Sequence, residues 1–287
     1  MQALTENVRA FFMIINKIRR LFSREMGIIL KSQDQIEGIR ESCYLAAEVL
    51  DMITPHVKEG ENTARLNKLI DEFIRDNGAI PATVGYRGYK YASCISLNDV
   101  VCHGVPSPET VISDGDILNI DVTTILDGYY GDNSRMYMVG NVSDDAKTLV
   151  EDTKICLDIG IKQCFPGNRV GNIGYEIAKF AESKGYSVVY EFCGHGVGIR
   201  FHEDPEVNHI ADKNTGVVMK PGMTFTIEPM INQGKARCKV DRKDGWTART
   251  IDGGLSAQWE HTLLITKEGV EVMTDIHDEY PKPLKLT

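Results

Sequence analysis

Four acidic residues occur in segments that alternate like β-strands and one histidine lies in a glycine-rich segment, and together they have the chemistry of a metal site. Carboxylates held close together repel each other unless they are solvated, protonated or bridged by a cation. One imidazole among several carboxylates suits oxygen-preferring divalent ions such as Mn²⁺, Fe²⁺ or Co²⁺, and a set of this size favours two shared ions over one. The candidate metal ligands are Asp121, Asp132, His195, Glu228 and Glu260.

The first two acids are predicted to lie on one β-hairpin. Residues 117–125 alternate between a polar face that carries Asp121 and an apolar face that belongs to the core. A two-residue turn at 126–127 or at 127–128 would return the chain as a strand over 129–139. Asp121 and Asp132 would then be direct or diagonal neighbours. Taken alone, this pair is explained more simply by a solvated sheet face than by a metal.

An internal repeat links this hairpin to the second half of the chain. Five positions carry the same or a similar residue at a constant spacing of 107. The same spacing relates Asp121 to Glu228. Pro229 holds Glu228 in an extended conformation. The chance similarity of two ordinary amphipathic helices is the alternative explanation. The repeated residues are Gly60, Leu66, Ile70, Phe73 and Gly78 in the first copy and Gly167, Ile173, Ile177, Phe180 and Gly185 in the second.

Helix signals precede the strands in both copies. Ser32 and Gln35 form a capping-box pattern ahead of an apolar face that ends near Pro55, and a second helix is predicted over 63–77, with Gly78 at its C-terminal cap. We therefore expect an α+β domain of two pseudo-symmetric halves, each a helix pair followed by antiparallel strands.

The remaining candidates come from two further segments. Glu260 lies in a strand-like run over 256–266, on the same face as Gln258 and Thr262. His195 lies between glycines that would let the backbone approach a ligand closely, and His202 follows seven residues later. Neither spacing is that of a zinc-binding HExxH helix, and an isolated histidine is more often structural.

These residues, with the segments 101–106, 194–198, 220–230 and 256–262, resemble a type I methionine aminopeptidase over about residues 28–274. The resemblance implies the "pita-bread" fold of the creatinase and aminopeptidase family and two divalent ions per chain, which Co, Mn, Fe, Zn or Ni could supply. It implies that Asp132 and Glu260 bridge the ions, that Asp121 completes one ion, and that His195 with Glu228 completes the other.

The resemblance also implies a reaction, which is removal of the N-terminal methionine from nascent polypeptides with a preference for a small second residue. In that reaction Glu228 would transfer a proton, while His103 and His202 would contact the substrate. Thr83 departs from a cysteine that some bacterial members carry in the methionine pocket. The implied methionine pocket is Tyr86, Tyr89, Cys94, Phe201 and Trp246, and the implied monovalent-cation site is Asn98, Val100 and Ser256.

Two other functions are compatible with the same fold. One is an X-Pro peptidase such as prolidase; those relatives usually carry an additional N-terminal domain, which 32 residues before the first core helix cannot form. The other is a metal-free binding module, which would be expected to have lost ligands, whereas all five are present in this sequence.

Composition narrows the partners and the compartment. The chain has 287 residues and a net charge of −9, which disfavours sequence-specific nucleic-acid binding. It contains no apolar run long enough to span a membrane. Seven cysteines without CxxC spacing indicate a reducing compartment, so we expect a cytoplasmic monomer.

Residues 1–31 are predicted to be a basic amphipathic extension ahead of the metallopeptidase domain at 32–287. Within residues 1–26, five basic residues stand against two acidic ones, and apolar residues recur at steps of four and three. This helix could dock on the polyanionic ribosome or pack on its own domain. Alternatively, it is upstream sequence read through a late start, since Met26 could itself initiate the chain.

Overall fold

Four α-helices arranged in two pairs provide the outer layers of the molecule over residues 27–282, which are the residues that the computed structural model describes. The predictions about residues 1–26 lie outside this range. No helix within 27–282 is long and apolar enough to cross a membrane. The helices are α1 Gln33–Ile53, α2 Thr63–Asp76, α3 Asp144–Ile161 and α4 Gly171–Ser183, with short 3₁₀ turns at Thr54–His56 and Tyr86–Gly88.

Fifteen short strands of the described region form four antiparallel sheets. β4 pairs with β5 along one edge and with β1 and β2 along the other, and the longest path elsewhere runs β15-β14-β9-β7-β8. Two three-stranded sheets have the orders β13-β10-β6 and β11-β12-β3. The strands are β1 Ile80–Pro81, β2 Cys94–Leu97, β3 Val100–Cys102, β4 Ile117–Leu126, β5 Tyr129–Met138, β6 Ser187–Val188, β7 Gly194–Gly196, β8 Glu203–Val207, β9 Thr224–Ile227, β10 Met230–Asn232, β11 Cys238–Val240, β12 Ala248–Thr250, β13 Ser256–Gln258, β14 His261–Ile265 and β15 Val270–Val272.

The start of α1 is the capping box expected from the sequence. The Ser32 hydroxyl accepts a hydrogen bond from the Gln35 backbone N–H at 3.4 Å, and the Gln35 side chain accepts one from the Ser32 N–H at 2.9 Å. These contacts satisfy two of the N–H groups that a helix leaves unpaired at its first turn.

The repeat corresponds to a structural duplication, as predicted. Moving the chain by 107 residues places the range of α2, 63–76, on 170–183, while α4 itself spans Gly171–Ser183. The glycines at both ends of each copy, Gly60 with Gly167 and Gly78 with Gly185, all have positive φ angles between 75° and 92°. Equivalent backbone turns therefore frame both helices.

Each helix pair covers its own hydrophobic core. Leu50, Leu66 and Ile70 of α1 and α2 pack with the apolar face of β4 in one buried cluster. Leu157 and Ile177 of α3 and α4 pack with β9 and β14 in another. Ile28, before α1, also packs against the second cluster.

The β4–β5 hairpin settles the register that the sequence left open. Asp127 and Gly128 have φ angles of 49° and 85°, so the turn is 127–128, with both central residues in the left-handed region that a tight hairpin turn requires. Thr123 pairs with Asp132, and Asp121 pairs with Ser134, which makes the two acids diagonal neighbours. Their polar face is not solvated, because Thr123 is 1% and Asp132 is 3% exposed.

Candidate metal centre and substrate cleft

Three of the predicted acids converge at the junction of the two halves. One carboxylate oxygen each from Asp121, Asp132 and Glu260 lies within 4.8 Å of the other two. Asp121 and Asp132 come from the β4–β5 hairpin, while Glu260 follows β13 and reaches the hairpin through its backbone N–H, which donates to Ser134 O at 3.3 Å. The Thr262 hydroxyl donates to Asp132 O at 2.7 Å and fixes the same junction.

His195 and Glu228 complete the cluster from β7 and the end of β9. His195 Nε2 lies 3.6 Å from Asp132 Oδ2 and 3.7 Å from Glu228 Oε1. His195 Nδ1 lies 3.0 Å from Gly196 O, and since a carbonyl can only accept, Nδ1 carries the proton. The unprotonated Nε2 is therefore the atom that faces the carboxylates and is available to a cation.

The glycines beside His195 were expected to allow close approach of a ligand, but they lie against neighbouring strands instead. A Cβ at Gly194 would lie 2.4 Å from Thr226 O, and one at Gly196 would lie 2.3 Å from Asp204 O. The close approach is thus to the neighbouring strands β9 and β8 and not to a ligand, and it allows His195 to sit in the middle of a sheet.

The strand predicted over 256–266 is interrupted at Trp259 and Glu260, between β13 and β14. The Trp259 indole N–H donates to Val150 O on α3 at 3.1 Å. Despite this interruption, the side chains lie on the predicted sides: Gln258 and Glu260 line the same cleft, while Trp259 packs on the core.

Within the described residues, no cationic side chain offsets the negative charge of these four carboxylates. Burial raises the pKa of Asp121 to about 7, and burial followed by repulsion from Asp132 raises the pKa of Glu228 and Glu260 well above the usual value. Among residues 27–282 no lysine or arginine forms an ion pair with the four acids. Burial also lowers the pKa of His195 to about 4, so that its imidazole is neutral at pH 7.

This donor set fits divalent cations. Four carboxylates, of which Asp132 and Glu260 are buried, and one neutral imidazole supply the oxygen and nitrogen ligands that such ions prefer, and a bound cation would remove the repulsion that raises their pKa values. Neighbouring side chains hold the donors in place: Thr123 donates to Asp132 Oδ1 at 2.8 Å, Thr226 to Glu228 Oε1 at 2.8 Å, and Gln258 to Glu228 Oε2 at 3.3 Å.

His209 holds the backbone of the same acid. Its Nε2 accepts the Glu228 N–H at 3.0 Å, so Nδ1 carries the proton, and Nδ1 has no hydrogen-bond partner within residues 27–282. Burial lowers the pKa of His209 to about 3, which keeps the ring neutral and able to accept.

A cleft of about 280 Å³ opens directly above the five donors. Its walls contain every residue that the resemblance assigned to substrate contact. These residues are Tyr86, Tyr89, Cys94, His103, Phe201, His202 and Trp246.

Aromatic contacts organise one wall of the cleft. The His202 ring stacks on His195 with centroids 4.0 Å apart and on Tyr86 at 5.1 Å. Phe201 packs against Tyr86 at 4.8 Å. This wall therefore joins a candidate ligand, a candidate catalytic histidine and the apolar pocket in one stack.

The opposite wall is built around Tyr89, whose ring meets Trp246 edge-on at 5.0 Å. The buried Tyr89 hydroxyl donates to Ser93 O at 3.0 Å. Thr83 also lines this pocket, and its hydroxyl donates to Tyr91 O at 2.7 Å. Because the polar atoms of Tyr89 and Thr83 are already paired with the backbone, the pocket stays suited to an apolar side chain.

His103 lies between the two walls. It has a φ of 55°, and its ring packs edge-on against Phe192 at 5.1 Å and Trp246 at 6.2 Å. Burial, and then the neighbouring His195, lower the pKa of His103 to about 4, so it is neutral at pH 7.

Sequence reasoning missed several residues of the cleft. Met230 follows Glu228 by two positions, so strand alternation predicts that both face the same way. Thr123 pairs with Asp132 across the hairpin, so the register predicts that they are neighbours. No pattern pointed to Arg87, which lines the mouth in a left-handed conformation, or to Glu191 and Phe192.

The three residues predicted for a monovalent cation come close together beside the cleft. The Asn98 carbonyl accepts the Ser256 N–H at 2.8 Å, and Val100 begins the adjacent strand β3. The buried Ser256 hydroxyl and the Asn232 side-chain oxygen, on strands that pair at these residues, have no hydrogen-bond partner within the described part of the chain.

Comparison with known proteins identifies relatives of this arrangement. The profile of metallopeptidase family M24 matches residues 37–267. The methionine aminopeptidase of Haemophilus influenzae is 48% identical over 256 residues, which are 88% of this chain and 95% of that protein. The crystal structure of methionine aminopeptidase from Rickettsia prowazekii superposes with a TM-score of 0.85 at 45% identity, covering 87% of this chain and all of that one.

A prolidase from Pyrococcus furiosus has a TM-score of 0.69 at 22% identity, and this chain covers 66% of its length, so that likeness concerns the fold alone. These matches confirm the pita-bread fold expected from the sequence. The chain belongs to metallopeptidase family M24 and, within it, to the methionine aminopeptidases.

Proposed function

We propose that this chain hydrolyses the first peptide bond of polypeptides that begin with methionine, with metal assistance. The observation that carries the proposal is a buried cluster of four carboxylates and one imidazole at the base of an aromatic, sulfur-containing cleft. Membership of the methionine aminopeptidases supports the substrate class.

Two divalent ions per chain are the proposed cofactor. Asp132 and Glu260 would be shared between them, Asp121 would complete one site, and His195 with Glu228 would complete the other. The proximity of His195 Nε2 to both Asp132 and Glu228 supports this division. When bound, such ions lower the pKa of water and polarise a carbonyl group.

The chain's own residues would orient the substrate and move the proton. Glu228, whose carboxylate is anchored by Thr226 and Gln258, would accept the proton of the attacking water and deliver it to the leaving amine. His103 and His202 would hydrogen-bond the substrate as its carbonyl carbon becomes tetrahedral. The neutral state of His103 at pH 7 lets one ring nitrogen donate and the other accept.

The cleft supports methionine as the first residue. Tyr86, Tyr89, Phe201 and Trp246 provide aromatic surfaces, and Cys94 adds a sulfur, a combination that suits a flexible thioether. A second residue with a small side chain is proposed because the bulky side chains of Phe192, which packs edge-on against His103, and Met230 both line the cleft.

An assay with short peptides tests this function. The protein is stripped of metal and supplied with Mn²⁺, Fe²⁺, Co²⁺, Zn²⁺ or Ni²⁺ in turn, and Met-Ala-Ser is compared with a leucine-starting peptide and an X-Pro peptide. We expect cleavage of Met-Ala-Ser alone. Preferential cleavage of the X-Pro peptide would instead support a prolidase-like enzyme, and no cleavage with any ion would refute the proposal.

Further proposals concern the surroundings of the enzyme. Asn98, Val100 and Ser256 would hold a monovalent cation, which the unpartnered Ser256 hydroxyl supports. None of the seven cysteines, all of which lie within residues 27–282, forms a disulfide, which supports a reducing cytoplasm, and we propose a monomer that does not read nucleic-acid sequence.

Residues 1–31 are proposed as an extension ahead of the peptidase domain at 32–287, and residues 1–26 within it would contact the ribosome. Co-sedimentation of the full chain with ribosomes is compared with that of a chain starting at Met26, at low and high salt. Salt-sensitive binding by the full chain alone would support docking. Equal binding by both chains would contradict it.

A further inference from the structure

A buried ion pair ties the residue just before α1 to the strand that follows His202. Lys31 Nζ lies 2.6 Å from Glu203 Oε2, and both side chains are 1% exposed. The Lys31 backbone N–H donates to Gly222 O at 2.8 Å, which fixes Lys31 beside the turn that leads into β9. The contact joins positions 172 residues apart in the sequence.

The second oxygen of Glu203 organises the turn that carries His202. Glu203 Oε1 accepts hydrogen bonds from the backbone N–H groups of Ile199 at 2.7 Å and Arg200 at 2.8 Å. Phe201 and His202 lie between these donors and Glu203 itself. Both ends of the turn are therefore fastened to one carboxylate, whose charge is balanced by Lys31.

Such a pair is not explained by stability alone. Burying two charges costs about as much as their attraction returns, and an apolar pair of similar volume often serves a fold equally well. Burial indeed lowers the pKa of Lys31, although the bond to Glu203 acts against this effect. What an apolar pair could not provide is an acceptor for the two N–H groups of the turn.

Loss of the lysine would disturb that acceptor. A buried carboxylate without its counter-charge takes up a proton or turns towards water, and either change weakens the hydrogen bonds from Ile199 and Arg200. The His202 ring, now stacked 4.0 Å from His195, would lose its fixed position over the cleft.

We propose that Lys31 is a positioning residue for the peptidase reaction, acting through Glu203 and the 199–203 turn to orient His202. The inference rests on the proposed role of His202 at the substrate. It extends the functional unit to a residue outside the cleft, at the junction with the N-terminal extension.

The central experiment substitutes Lys31→Met in the full-length protein and measures kcat and KM for Met-Ala-Ser. A misplaced catalytic group costs up to about 100-fold, so we expect kcat to fall by about 10- to 100-fold while Mn²⁺ affinity stays unchanged. The same substitution in a His202→Ala background should change kcat by no more than about twofold, because its target is already absent.

Two further variants separate positioning from folding. Arg40→Met removes two other ion pairs, with Glu37 in α1 and with Glu271 of β15, and should leave kcat unchanged because Arg40 does not line the cleft. Glu203→Gln keeps an oxygen for the turn and needs no counter-charge, so Lys31→Met/Glu203→Gln should recover most of the lost kcat.

Amide hydrogen exchange supplies a readout that does not depend on activity. Exchange at Ile199 and Arg200 should accelerate in Lys31→Met and return towards the parent rate in the double variant. An unchanged kcat in Lys31→Met, or an equal fall in the His202→Ala background, would overturn the inference. Failure of the parent protein itself to cleave Met-Ala-Ser would instead refute the proposed function.

Discussion

Thr226 gives the sharpest test of how the proposed metal ligands are held, because its buried hydroxyl hydrogen-bonds to two of them. Its Oγ1 accepts the His195 backbone N–H at 3.0 Å and donates to Glu228 Oε1 at 2.8 Å. Thr226 is 0% exposed, so no water can replace these contacts. Thr226→Val keeps the shape of the side chain and removes both hydrogen bonds.

The expected magnitude follows from these two contacts. An unpaired His195 N–H in the sheet costs about 1–3 kcal/mol, and a hydrogen bond to a carboxylate contributes about 1.5–3 kcal/mol. Since the groups released are proposed metal ligands, part of the loss should appear as weaker ion binding, by about 10- to 100-fold. That factor corresponds to about 1.4–2.8 kcal/mol in binding free energy.

Thr224→Val is the matched control. Thr224 lies on the same strand, is 1% exposed and donates to Val197 O, which is not a candidate ligand. Isothermal titration with Mn²⁺ and urea unfolding are performed on both variants. Both should lose unfolding free energy, and only Thr226→Val should bind Mn²⁺ more weakly. Equal Mn²⁺ affinity in the two variants would refute the reasoning.

Three other predictions address the ligands, the histidines and pH. Glu260→Ala should abolish activity and weaken the binding of both ions in isothermal titration, because Glu260 is proposed to bridge them. Unchanged stoichiometry and affinity would remove Glu260 from the ligand set. His202→Ala should lower kcat by about 100-fold with metal content unchanged, whereas His195→Ala should lose metal, and identical metal analyses would contradict the assignment. Partial burial raises the pKa of Asp51, but hydrogen bonds from Arg135 and His277 outweigh it and lower that pKa overall. The ionised carboxylate therefore adds stability that is lost as pH falls through its folded pKa, and Asp51→Asn should flatten the pH dependence of urea unfolding below about pH 4; a parallel curve would argue against the effect.

The duplication and the grouping of the candidate ligands could be predicted from the sequence, because a constant spacing of 107 residues and strand alternation are both visible without the fold. A fixed spacing related Asp121 to Glu228, and strand alternation placed each acid on one face without knowledge of the other strands. The hairpin register remained open between two turns, since only the positive φ angles at Asp127 and Gly128 distinguish them.

Contacts between distant segments could not be read in this way. Local patterns assigned the glycines around His195 to a ligand, whereas they admit the neighbouring strands β9 and β8. The Lys31–Glu203 pair joins the first and second halves of the chain, and no local sequence pattern around either residue predicts this contact. Burial of the polar face of β4 likewise depends on which sheet comes to lie over it.

The division of the ligands between the two halves also bears on how the protein is made. Asp121 and Asp132 are synthesised well before His195, Glu228 and Glu260, and the hydrogen bond from Glu260 to Ser134 can form only after all five have been made. A growing chain therefore carries only Asp121 and Asp132 until translation has passed His195, and the full set of candidate ligands exists only once Glu260 has been made. Under the proposed assignment, ion capture would be a late event that requires both halves, and it would favour the completed fold over any half-folded chain by mass action.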